Sequence, residues 1–165
     1  MAAPETGTDD RHAAMMAEAF RLAREAMADG RGGPFGAVIA KGEAMVSRGA
    51  NRVVRESDPT AHAEVVAIRE ACRTLGTHDL SGTVIYTTCE PCPMCLAAIY
   101  WAHIDRIVFA GTHEDASDAG FDDSLIYREL RAPRDSRMVP MIELDRAEAK
   151  RLFAEWRANP RRVPY

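Results

Sequence analysis

Thr83-Val84-Ile85-Tyr86-Thr87 and, just downstream, Pro91-Cys92-Pro93-Met94-Cys95-Leu96-Ala97-Ala98-Ile99-Tyr100-Trp101 decide how this chain is built. β-Branched and aromatic side chains crowd the first stretch, which reads as a buried strand over 83–87. The second stretch reads as a helix over 92–102, opened by Pro91 or Pro93, since proline suits a first helical turn. Arg106-Ile107-Val108-Phe109-Ala110 supplies the next strand. Strand, helix and strand in succession point to an α/β fold.

Upstream, apolar residues recur at helical spacing among charges over 11–27, closed by Asp29-Gly30, which predicts an amphipathic helix lying on a sheet. Two strands over 36–40 and 44–48 flank a Lys41-Gly42-Glu43 turn. Asp58-Pro59-Thr60 signals a helix start, with Thr60 as its cap and the helix running over 61–75. Downstream the pattern predicts a helix over 121–130, a short strand over 138–142 and a helix over 145–158. The expected architecture is a three-layer α/β/α fold with a central five-stranded mixed sheet, formed by one domain over 1–165.

The 165 residues carry 21 Lys and Arg against 25 Asp and Glu, a formal charge of −4, so no global field attracts a polyanion. The first ten residues lack both the charged start and the apolar stretch of a secretory signal, which implies a cytoplasmic protein. No apolar run reaches the roughly 18–20 residues of a membrane span. Of the four cysteines, Cys89, Cys92 and Cys95 crowd into one segment, a pattern that favours metal binding over a disulfide framework. Cys72, at helical spacing, reads as a core residue, and Cys89 as a further thiol beside the site.

His62-Ala63-Glu64 pairs with Pro91-Cys92-Pro93-Met94-Cys95 to give one imidazole and two thiolates. Three such ligands leave the fourth tetrahedral position of zinc open for water, which means catalysis, whereas structural zinc needs four closed ligands. Cys92 and Cys95, three apart at a helix start, put both sulfurs on one side of the first turn. Two thiolates cancel the charge of the dication, so positive potential must come from elsewhere. The expected source is the N-termini of the helices that begin near residues 61 and 92. Glu64, two residues beyond His62, is too near in the chain to be a comfortable ligand and reads as the proton shuttle.

These motifs match the signature of the cytidine/deoxycytidylate deaminase superfamily. With Pro34-Phe35-Gly36-Ala37-Val38, Asn51, Ala98-Ile99-Tyr100-Trp101 and Ala119-Gly120-Phe121-Asp122-Asp123, nearly the whole chain resembles the bacterial guanine deaminases of that superfamily. The resemblance implies a cytidine-deaminase-like fold, one Zn2+ per subunit on His62, Cys92 and Cys95, and hydrolysis of guanine to xanthine and ammonia. It makes Glu64 and Asp123 catalytic and assigns Asn51, Phe35, Trp101, Ala63 and Tyr165 to the purine base. It also implies a homodimer in which the segment at about 145–165 swaps onto the partner subunit and Tyr165 closes the partner's pocket. Asp122 is expected to cap the following helix, and Glu143 is a weaker candidate for an outer polar contact.

Rival readings are deamination of another amino-heterocycle such as a triazine, isocytosine or guanosine, a tRNA adenosine deaminase, and a zinc-stabilised binding module. A tRNA enzyme needs a basic face, against the acidic balance of this chain. A nucleoside needs room for ribose, which a C-terminal lid denies.

Overall fold

A strand that is apolar on both faces needs helix on each side, and β1 (Gly36–Lys41) is such a strand. The computed structural model describes residues 8–164. In it β1 pairs antiparallel with β2 (Ala44–Ala50) and with β3 (Thr83–Cys89), and β3 pairs parallel with β4 (Arg106–Gly111). The sheet order is β2-β1-β3-β4. Alternate residues serve opposite faces. Val38, Ala40 and Tyr86 pack with Met15 and Ala19 of α1 (Thr8–Met27). Ala37, Ile39 and Ile85 pack with Ala63, Ala67 and Ala71 of α3 (Ala63–Leu75) and with Ile99 of α4 (Pro93–Trp101). A short α2 (Val53–Glu56) precedes α3, and α5 (His113–Asp118) follows β4.

The chain divides into two compact units, Met1–Asp123 and Ser124–Tyr165. All four strands lie in the first. The second holds α6 (Ser124–Arg131), a 3-10 turn (Arg134–Ser136) and α7 (Arg146–Ala158), and none of its described residues is fully buried.

The α/β class and the mixed sheet are as expected, but the sheet has four strands, not five, among the described residues. Residues 138–142 form no strand. Pro140 has no N–H for a ladder, and Met138, Val139, Met141 and Ile142 are exposed instead of packed on a pleated face. The cap of α3 also moves: His62, not Thr60, is the N-cap, because Asp58 turns Thr60 back by accepting from both its N–H and its hydroxyl. The helix expected over 121–130 starts at Ser124, so Asp123 and not Asp122 immediately precedes it.

Glycine permits the approach of α3 to the sheet. A Cβ on Gly49 of β2 would stand 2.0 Å from the Ala63 carbonyl oxygen and 2.6 Å from the Ala67 nitrogen. These are backbone atoms that cannot swing aside. The first turn of α3, which follows His62, therefore rests on bare strand backbone. Gly49→Ala is expected to cost about 1–3 kcal/mol of stability in urea unfolding; an unchanged midpoint would show that the helix can lift off without penalty.

Candidate active site

β3 ends at Cys89, and the chain turns through Glu90 and Pro91 into α4, whose N-cap is Cys92 with Pro93 first in the helix. Proline costs nothing there, because the first N–H groups of a helix have no intrahelical acceptor. Cys95 then falls on the first turn, facing the same way as Cys92. His62 is the N-cap of α3, and its imidazole makes no capping bond. Its Nδ1 lies 3.6 Å from Cys92 Sγ and 3.5 Å from Cys95 Sγ. The three ligand atoms stand within 4.8 Å of one another, and no fourth His, Cys, Asp or Glu joins them among the described residues.

These separations suit zinc. Tetrahedral ligation at ~2.3 Å to sulfur and ~2.0–2.1 Å to nitrogen sets the two atoms about 3.5 Å apart. Both helices present their N-terminal ends to the cluster, as the charge argument required. Hydrogen bonds from Cys95 and His62, against the pull of burial, hold the Cys92 thiol down at about 4. The Cys95 thiol is pushed up by its bond to the Cys92 thiolate and by burial. One negative charge is thus easy at this pair and a second is opposed, a conflict that a dication relieves.

Glu64, second in α3, is only 7% exposed. Burial raises its carboxyl above the ordinary value and the Cys92 charge adds to this, while its own backbone N–H, His62 and Cys95 oppose the shift. Asp123 is also raised, first by burial and then by the Cys92 charge, which puts both acids within electrostatic reach of the cluster.

Asn51 is buried, and its Oδ1 accepts from the N–H groups of Gly33 at 3.2 Å and Val53 at 3.4 Å. Both partners are donors, so the oxygen is the atom engaged and the amide NH2 takes no part in those bonds. Phe35 meets Phe121 edge to face with ring centres 4.9 Å apart. Ala63 is fully buried, its methyl group in the core.

Trp101 stands apart: it closes α4 at the end away from the ligands, about 9 Å along the axis from Cys95 at the helical rise, and is 68% exposed. Glu143, in the second unit, pairs with Arg134 and Arg146 on the surface. Tyr165 lies outside the described residues. A groove of about 570 Å³ lined by Arg48, Arg52, Arg69 and Arg73 contains none of the candidate site residues, and each of these arginines is paired with an acid.

Sequence reasoning missed Phe121, Glu90 and His113. Phe121 lies in the Ala119–Asp123 motif, and Glu90 immediately precedes the Pro91–Cys95 motif. His113 carries no spacing signal, yet its Nδ1 is 3.1 Å from Glu90 Oε2.

The cytidine and deoxycytidylate deaminase zinc-binding region matches residues 9–111, and the chain belongs to this family. It is 48% identical over 146 residues, 88% of its length, to the guanine deaminase of Bacillus subtilis, 94% of which is covered. The crystal structure of guanine deaminase from Bacillus subtilis superposes with a TM-score of 0.90 at 46% identity, over 93% of this chain and 98% of the other. A tRNA-specific adenosine deaminase of Aquifex aeolicus is 44% identical over 92 residues, 56% of this chain and 60% of that protein.

Metal analysis of the purified protein is expected to find about one zinc per chain, with Cys95→Ser losing it. Full zinc retention by that variant would exclude Cys95 as a ligand.

Proposed function

We propose that the protein hydrolyses guanine to xanthine and ammonia. The observation that carries this reading is a buried acid, Glu64, beside a three-ligand metal cluster in a chain similar to a guanine deaminase along 88% of its length. Sequence similarity to the Aquifex aeolicus tRNA-specific enzyme spans 56% of the chain, and the net charge of −4 offers nothing general to a tRNA backbone.

His62, Cys92 and Cys95 would hold zinc, whose Lewis acidity would lower the pKa of an attacking water. Glu64 takes the proton from the attacking water, hands it to a ring nitrogen and later protonates the departing amino group. Burial raises its carboxyl above the ordinary value, which makes it a better proton acceptor than an exposed one. Asp123 accepts from the N–H groups that guanine presents and that adenine and cytosine do not match. Asn51, with its oxygen committed to Gly33 and Val53, addresses the base as a donor through its NH2. The Phe35–Phe121 pair borders the flat ring, and Ala63, its methyl group in the core, contributes to the pocket through its backbone.

The two units act as one catalytic domain that works as a homodimer. Support comes from the second unit, where Leu125, Ile126, Leu152, Phe153, Trp156 and Val163 are all exposed within one chain. Residues 145–165 dock on the partner subunit, and Tyr165 seals its pocket against water and against ribose. No helix among the described residues is long and apolar enough to cross a membrane. The four unpaired cysteines suit a reducing cytoplasm.

Ammonia release by the zinc-loaded protein is expected to favour guanine over guanosine, isocytosine, amino-triazines, adenine and cytosine. Inert guanine beside rapid turnover of another heterocycle would overturn the substrate and keep the metal chemistry. Glu64→Gln is expected to retain fold and zinc and lose about 10²- to 10⁴-fold in turnover; collapse of the fold would instead favour a zinc-stabilised binding module. Removal of residues 163–165 is expected to lower turnover far more than the unfolding midpoint, and unimpaired turnover would exclude the lid.

A further inference from the structure

We infer that Glu90 and His113 form a clasp that positions Asp123, joining the segment that carries it to the turn that carries the metal ligands. This rests on the role given to Asp123 above. Glu90 stands two residues before Cys92, and its backbone N–H donates to the Gly111 carbonyl at 2.8 Å, so the ends of β3 and β4 are already aligned. Its carboxylate then reaches across. Oε2 accepts from the His113 backbone N–H at 3.2 Å and from His113 Nδ1 at 3.1 Å. An ionised carboxylate can only accept, so Nδ1 carries the hydrogen. Beside this, Cys89 Sγ donates to the Thr112 carbonyl at 3.5 Å, a second tie between the same two strand ends.

From His113 onward the segment is internally stiff. Thr112 and Asp115 cap α5 reciprocally, the Asp115 carboxylate accepting from the Thr112 N–H at 2.7 Å. Gly120 turns the chain at φ +93°, and the Phe121 N–H returns to the Ala116 carbonyl at 2.9 Å. Phe121 lodges against Phe35. Residues 112–123 are therefore a short rigid arm, fixed at its base by Glu90 and His113 and at its far end by Phe35. Asp123 is the last residue of the arm. A rotation at the base would be carried along the arm to its carboxylate, and a catalytic acid displaced by about 1 Å can lose some 10²-fold in rate. Glu90 and His113 touch no reacting atom in this account; they act through Asp123 as positioning residues.

His113→Ala is expected to lower kcat/KM about tenfold, leaving zinc content unchanged. His113→Asn, whose amide nitrogen can take the place of Nδ1, is expected to recover most of the loss. Combined with Asp123→Asn, His113→Ala should add little, since both changes act on one carboxylate. Independently of substrate, amide hydrogen exchange over 112–123 should accelerate in His113→Ala and stay normal elsewhere. Unchanged exchange, or full additivity of the two substitutions, would overturn the clasp. Turnover is read on whichever heterocycle the wild type deaminates. Normal turnover by Asp123→Asn removes the catalytic role of Asp123 and the clasp's purpose together, whereas impaired Asp123→Asn beside normal His113→Ala removes the clasp alone.

Discussion

Because α3 rests on the bare backbone of β2 at Gly49, and α4 leaves β3 after a two-residue turn, His62 and Cys92 arrive side by side. Everything else about the site depends on that approach. Ligand atoms 3.5–3.6 Å apart tolerate little slack, and the two helix starts are held by different strands of one sheet. The sheet is thus a jig. A tight tolerance of that jig lies where a side chain is missing, at residue 49, and not at any residue that performs chemistry.

The same arrangement sets the electrostatics. Two thiols and a carboxyl share a buried corner, and the Cys92 and Cys95 shifts show that the protein alone stabilises one charge there and resists the next. Helix N-termini soften this without adding a mobile counter-charge that would compete with the metal. Glu64 sits in the first turn of α3, where the dipole favours its anion and burial favours its acid form. Opposed influences of that kind keep a group ready to exchange a proton.

Most of this was legible in the chain before any coordinates. A β-branched run gave β3, two short runs about the Lys41-Gly42-Glu43 turn gave the β1–β2 hairpin, and the spacing of Cys92 and Cys95 with His62 gave the metal cluster. What was not legible had physical causes. Residues 138–142 have strand composition, but composition carries no information about whether a neighbouring edge exists. Thr60 looks like a cap, but the nearer Asp58 captures it. The Glu90–His113 contact joins residues 23 apart whose meeting depends on the parallel pairing of β3 and β4, a tertiary fact with no local pattern.

His62 and Cys92 lie 30 residues apart in sequence. An ion that ties them closes a loop of that span, and a cross-link of this length restricts the unfolded chain by about 3–4 kcal/mol on the loop-entropy scale. That is a sizeable share of the 5–15 kcal/mol that keeps a typical domain folded. Metal supply and protein abundance are therefore linked: a newly made chain that meets no zinc is an enzyme without a catalyst and also a looser substrate for proteolysis, so scarcity of the ion would thin the population of molecules as well as silence them.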